Sequence, residues 1–350
     1  MKRSLFVVCA LGSSIAAHAQ SQVTLQGTAD ANLNYTRGSL THRSQLNSGG
    51  NSTSKVIFRG VEDLGGGLYA QFWLESGFLL DNGTGTASNT NNQPSGTANL
   101  PAGTQAMTFN RRSIVGLGGN WGLINIGREW SPTYDAFTSR YDLFGVGVGI
   151  GLNYTSSINP NQVRVSNDIS YTTPKVLGGL SVNVQHWMGE NTSGTATSRD
   201  GTGSGIRLNY DNDPISAVAH YARTDFAAGD AIYRGVAAYY DPGDFKLAFN
   251  ANHDEQGRLK QRGWNIGGLY RIGVGEIKGT VSRLRTNAAG NPEGTKYAIG
   301  YVHNLSKRTA VYTTYARIQN KNGATFAISG STTAPNRYSS GFDLGIRHHF

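Results

Sequence analysis

The sequence is poor in most of what marks a soluble enzyme. It holds a single cysteine, Cys9, within a segment that reads as an export leader. Lys2 and Arg3 begin that segment, Leu5–Leu11 supplies an apolar stretch, and Ala17-His18-Ala19 is a small-x-small cleavage site ahead of Gln20. With residues 1–19 removed, residues 20–350 contain no thiol, which excludes disulfides, thiolate metal centres and cysteine nucleophiles. No apolar run approaches the roughly 18 residues of a membrane helix, and no sustained i, i+3, i+4, i+7 pattern announces an amphipathic helix. Charge is scarce as well, at 15% of residues, where about 25% is usual for a soluble protein.

Chemistry-bearing motifs are equally thin. The eight histidines show no HExxH spacing, and there is no G-x-S-x-G elbow. Gly145-Val146-Gly147-Val148-Gly149 is glycine-rich, but no βαβ unit surrounds it to make a phosphate cradle. No metal and no cofactor are expected. The net charge is +9; loss of Lys2 and Arg3, with no acid in 1–19, leaves 9 − 2 = +7. An exported chain has little access to nucleic acid, so none is expected as a partner, and the basic field suits small anions instead.

What fills the sequence is alternation. In the last stretch, Tyr338, Phe342, Leu344, Ile346 and Phe350 share one parity, while Asp343, Gly345, Arg347 and His349 share the other. That is the period of a strand with one oily and one wet face. A membrane-spanning strand needs about 9–11 residues against the usual 5–6, and this stretch is long enough. It is expected to close a barrel against a first strand near Val23–Tyr35. Between these ends, hairpins recur: Lys55–Gly60 with Leu68–Ser76, Thr108–Leu117 with Gly122–Trp130, and Val163–Thr172 with Leu180–Trp187. Further pairs run to Tyr297–His303 with Thr309–Arg317. Short turns alternate with longer polar connections, among them a loop at about 79–106 and a polar stretch after Tyr35. The count comes to about sixteen strands, an even number, as outer-membrane barrels require. Tyr171, Trp187, Tyr210, Tyr221, Tyr239, Trp264, Tyr270, Tyr297, Tyr301 and Phe350 fall near strand ends, where membrane girdles place aromatic rings.

With Val23-Thr24-Leu25-Gln26-Gly27, Phe58-Arg59-Gly60-Val61-Glu62-Asp63-Leu64-Gly65, Gly127-Arg128-Glu129, Tyr301–Thr309 and the ending Gly345–Phe350, the chain resembles the trimeric general porins of Gram-negative outer membranes, of the beta-proteobacterial type. The resemblance implies an all-β, sixteen-stranded antiparallel transmembrane barrel over 20–350. It implies passive diffusion of small hydrophilic solutes and ions, and no enzyme. It also implies a homotrimer among outer-membrane lipid and lipopolysaccharide, with Phe350 read by the barrel-assembly machinery, and it suggests that the loop at about 79–106 latches a neighbouring subunit. A barrel hydrolase would need a Ser–His pair on the lipid face, for which the sequence suggests no candidate, and an adhesin or receptor would carry longer, more aromatic loops.

In such porins the third long loop folds into the lumen. Here that segment is Gly127–Tyr154, and Tyr134, Phe137, Tyr141 and Phe144 make it too apolar to lie in water. Its acids Glu129, Asp135 and Asp142 are expected to face basic residues on the wall. Strand parity places Lys55, Arg59, Arg111 and Arg164 on the lumen side; Arg128 joins the candidate ring although it shares parity with Ile124 and Ile126. A ring of such cations in a narrow pore favours anions. Lys55, Arg111 and Arg164 match positions that bear arginine in anion-selective relatives, and Lys55 keeps the charge without the planar fork.

Overall fold

The computed structural model describes residues 22–86, 108–137, 140–156, 158 and 162–350. The leader and most of the loop at about 79–106 lie outside the described residues. Most of what is described is strand: β1 (Gln22–Arg37), β2 (His42–Ser48), β3 (Lys55–Gly65), β4 (Leu68–Gly77), β5 (Arg112–Gly119), β6 (Gly122–Trp130), β7 (Arg164–Thr172), β8 (Leu180–Trp187) and β9 (Gly203–Asn212). The wall continues through β10 (Ile215–Thr224), β11 (Ala231–Tyr240), β12 (Phe245–Gln256), β13 (Leu259–Ile272), β14 (Gly275–Thr286), β15 (Glu293–Asn304), β16 (Thr309–Lys321) and β17 (Ser339–His349). The two helices, α1 (Tyr134–Phe137) and α2 (Leu152–Thr155), are single turns. No described helix is long and apolar enough to cross a membrane.

Successive strands pair antiparallel, and β17 returns to β1, with Thr28 opposite His349 and Arg37 opposite Ser340. The sheet therefore closes and has no free edge, which lets every ladder amide be bonded inside the protein where hydrocarbon offers no partner. Gly27 and Phe350 complete the seam: the Gly27 N–H donates to the Phe350 carbonyl at 2.9 Å and the Phe350 N–H returns the bond at 3.1 Å. The Phe350 ring lies over Gly27, where a Cβ would stand 2.4 Å from it.

Seventeen segments make sixteen staves, because β2 and β3 share one position. β1 pairs with β2 through Ala31–Arg37 and with β3 through Gln22–Thr28. The break between them wraps around Asp30, whose carboxylate accepts the amides of Gly50, Asn51 and Ser52 at 3.0, 3.1 and 2.7 Å. The sequence predicts a polar loop here. β2 carries one large apolar residue, Leu46, so it shows no oily alternation; its pairing partner specifies it as strand.

Alternation also fails at 253–263, although the ladder does not. β12 and β13 run on to a turn of Gly257 and Arg258. The outward side chains there are His253, Glu255, Lys260 and Arg262, so the alternation of oil and water ends while the ladder continues. Elsewhere the ends sort as expected. Gly66-Gly67, Asp213-Pro214 and Gly273-Val274 turn tightly at one end, while 188–202 and 322–338 extend from the other.

Parity sets the two faces. Leu33, Val115, Ile126, Leu247, Ile266, Ile299 and Leu344 are exposed on the outside. Asn32, Asn34, Asn125, Asn183, Asn250 and Asn265 are buried on the inside. Two aromatics assigned to the girdle turn inward instead. Trp187 shares its face with Asn183 and Gln185 and is buried against Val165, Ala222 and Tyr233. Tyr239 packs on Tyr141 with ring centroids 5.5 Å apart. Nearness to a strand end does not give the facing; parity does.

Candidate functional site

The segment between β6 and β7 lies inside the barrel. Tyr141, Leu143, Phe144, Val148, Ile150 and Leu152 are all buried, and the wall is shaped to take them. Where Phe144, Leu152, Val148 and Asn153 arrive, the staves carry Gly300, Gly294, Gly341 and Gly263; a Cβ at these glycines would come within 2.8, 2.8, 2.9 and 2.4 Å of the four side chains. The loop backbone also comes close at Gly147, with φ +69° and the Gly50 carbonyl oxygen 2.2 Å from where a Cβ would be. Only glycine serves there.

Polar anchors then fix the path. Lys278 on β14 donates to the Leu143 carbonyl at 3.0 Å, and Lys296 on β15 donates to the Ile150 carbonyl at 2.6 Å. The Val148 amide donates to Asp343 at 2.9 Å, and the Leu152 amide to the Ser282 hydroxyl at 2.8 Å. Asn153 donates to Asn250 at 2.7 Å, while Arg140 bonds Asp211. A hydrogen bond to a charged group contributes about 1.5–3 kcal/mol, so the two lysines alone hold the loop firmly. The sequence alone singles out neither lysine.

Where this loop meets the opposite wall, a chamber of about 180 Å³ remains. Lys55, Arg111 and Arg164 line it together with Tyr134, Phe144 and Tyr154. Glu75, buried in the wall, accepts from Arg111 at 2.6 Å and from the Trp73 indole at 3.1 Å, and lies 3.9 Å from the Lys55 ammonium. Among the described residues Arg164 makes no ion pair; the Tyr134 ring lies 6.0 Å from its guanidinium. Burial pushes the Tyr154 phenol up to about 12, so it lines the chamber as a neutral hydroxyl.

The other candidates fall elsewhere. Arg59 sits below this chamber on the same face, with its guanidinium 5.4 Å from the Trp73 ring. Arg128 is outside the lining and ties the wall together, donating to the Asn110 carbonyl at 2.7 Å and to the Ser166 hydroxyl at 2.6 Å. Glu129 belongs to β6, not to the loop, and pairs with Arg112 at 2.5 Å. Asp142 turns away from the basic wall: it accepts the amides of Phe144, Gly145 and Gly151 at 3.1, 3.4 and 2.6 Å and so braces its own loop. Burial raises its carboxyl above the ordinary value, against the pull of those amides and of Lys296. Asp135 lies on α1, and its side chain is outside the described residues.

Arg112 is the lumen residue that parity counting missed. If Arg111 faces inward, a neighbour in a regular strand must face outward. β5 begins only at Arg112, however, which is cross-strand from Glu75. Both arginines therefore reach the same wall, and the Arg112 guanidinium lies 4.8 and 5.0 Å from the rings of Trp73 and Trp130.

A closed barrel with an oily exterior, a polar interior and an inward loop defines a membrane channel of the porin class. The chain matches the family described as Gram-negative porin over residues 4–323. It is 36% identical to outer membrane porin protein 32 of Delftia acidovorans, with 100% of each chain covered. It is 27% identical to an outer membrane porin of Bordetella pertussis, again with 100% of each covered. The solved structure of an anion-selective porin from Comamonas acidovorans superposes with a TM-score of 0.80 at 32% identity, covering 95% of this chain and 100% of that one. The chain belongs to the Gram-negative porin family. It is an outer-membrane protein whose barrel passes small solutes or ions.

Proposed function

We propose that this porin is a passive diffusion channel that prefers anions, with the chamber of Lys55, Arg111 and Arg164 as its selecting element. The convergence of those three cations on the space left between loop and wall carries the reading. Glu75 offsets part of their charge, and Arg164 makes no ion pair among the described residues. Cations in a narrow, low-dielectric passage lower the barrier for an anion and raise it for a cation. The Comamonas acidovorans relative is described as anion-selective, in keeping with the same preference here.

The channel performs no chemistry in this reading and needs no cofactor. Residues 1–19 act as a removed leader, the barrel assembles as a homotrimer among lipopolysaccharide, and Phe350, seated over Gly27, is recognised by the barrel-assembly machinery; family membership supports these points. The deciding measurement is the reversal potential of single channels in a potassium chloride gradient. A potential of the sign for chloride preference is expected; cation preference would refute the assignment.

A further inference from the structure

One carboxyl group in the barrel wall has nothing to answer its charge. Asp168, on the inner face of β7, is 1% exposed, and among the described residues neither of its carboxylate oxygens accepts a hydrogen bond. Buried charges in proteins are paired or coordinate metals, because an isolated one is costly. The flanking residues supply no donor. Gly127 stands opposite on β6 and Trp187 opposite on β8. The Trp187 indole leans over Gly203 of β9, where a Cβ would stand 2.5 Å from its nitrogen, so that N–H lies away from β7. The charged side chain that acts on Asp168 is a second acid, Glu129, beyond the break in the ladder between Gly127 and Glu129. Glu129 already has Arg112 as its partner. Counted as ionised, two carboxylates and one guanidinium leave a net negative charge inside the wall.

A third oxygen belongs to the same place. Gln185 lies opposite Ser170, one inward step from Asp168, and its amide N–H donates to the Trp130 carbonyl at 2.8 Å. Trp130 is opposite Arg164, on the other side of Asp168 along β7. The Gln185 side chain therefore crosses Asp168 to make that bond. Its Oε1 is buried and accepts nothing among the described residues. Three acceptor oxygens without a donor, beside a second carboxylate, call for a cation. A proton would bridge one pair of oxygens and leave the third bare. Carboxylate and amide oxygens, with no nitrogen or sulfur, are the donor set of a hard ion such as calcium.

We propose that Asp168 and Gln185 bind a calcium ion in the wall at the root of the inward loop. Asp168 supplies both oxygens, Gln185 its Oε1, and Glu129 the second negative charge. Water completes the shell, since calcium takes about six to eight oxygens. With its Oε1 on the ion, the Gln185 amide is polarised towards the Trp130 carbonyl, so the ion fixes the point where the loop leaves β6.

The test uses full-length porin refolded without lipopolysaccharide, whose phosphates carry divalent ions of their own, and stripped with EGTA. Terbium, a luminescent substitute for calcium, is titrated in and excited through tryptophan, with Trp130 and Trp187 beside the site. The wild type is expected to give a saturable signal that calcium displaces. Asp168→Asn should bind terbium at least tenfold more weakly, and Arg111→Ser, altered elsewhere in the lumen, as the wild type does. Thermal unfolding adds a reading that a misfolded variant could not imitate. Stripped of metal, Asp168→Asn should melt no earlier than the wild type, because a bare buried charge has gone; with calcium the wild type should gain stability and the variant should not. Equal terbium affinity in wild type and Asp168→Asn overturns the proposal. So does equal stabilisation by sodium chloride at matched ionic strength, which would be screening alone. A wild type that takes up no calcium but loses stability as pH is raised through the alkaline range, where Asp168→Asn does not, would put a proton in place of the metal and overturn it as well. Reversal potentials are read separately, so failure of the anion preference leaves this result untouched.

Discussion

The Nε of Arg111 and the Oε1 of Glu75 stand 2.6 Å apart on the wall of the chamber, and the Lys55 ammonium approaches the same oxygen at 3.9 Å. One buried carboxylate thus positions two of the three cations of the chamber while lowering the field they produce. Removing its charge should sharpen selectivity. A unit charge at 4 Å contributes about 1 kcal/mol even at the dielectric of bulk water, which is roughly a fivefold change. Glu75→Gln is expected to raise the chloride-to-potassium permeability ratio by about that factor in a bi-ionic or gradient measurement.

The converse change tests the cations themselves. Arg111→Ser and Arg164→Ser should each lower anion preference by a similar factor, and the two together should approach a non-selective pore. Selectivity unchanged in the double variant would leave these arginines with a purely structural role.

Ionic strength provides a test without mutation. The Debye length falls from about 10 Å at 0.1 M to about 3 Å at 1 M salt. Charges lining a water-filled chamber should be screened over that range. The reversal potential for a fixed tenfold gradient is expected to shrink towards the non-selective value as both solutions are raised.

The loop seat makes a separate prediction. Lys278 and Lys296 donate to carbonyls of Leu143 and Ile150 from neighbouring staves. Replacing either with Met keeps the bulk but leaves a buried carbonyl unpaired, at about 1–3 kcal/mol. In Lys278→Met and Lys296→Met the loop should leave the wall more often. Higher mean conductance and more current noise in single-channel records are expected, with the heat-stable barrel mobility on a semi-native gel retained.

The facing of the strands is open to a stability measurement. Ile299 points outward and is 59% exposed, while Gln71 faces the lumen and bonds Asn125. Arginine on the lipid face near the midplane costs roughly 2–4 kcal/mol, whereas lumen changes tune selectivity. Urea titration of folding into lipid vesicles should show Ile299→Arg destabilised by about that amount and Gln71→Arg little changed.

Legibility in the sequence followed the solvent. Where hydrocarbon lies outside, as along Phe245–Ala251, alternation marks strand and facing together. Where the staves rise past the hydrocarbon, at His253–Arg262, the outward residues become charged and the same strand looks like loop. β2 was lost for the same reason, with Leu46 alone to mark it. Arg112 was missed because period two holds only within a strand, and Arg111 lies before the first residue of β5.

Local chemistry therefore determined the class: side chains two apart share a solvent, so a barrel with oil outside and water inside could be read from the residues alone, and the seam at Phe350 with it. The site was decided by tertiary structure. Lys55 on β3, Arg111 before β5 and Arg164 on β7 meet only because the loop fills the rest of the lumen. That path depends on glycines and lysines more than a hundred residues away, on β13 to β17. Period two says which way a side chain points, but not what stands across the water from it.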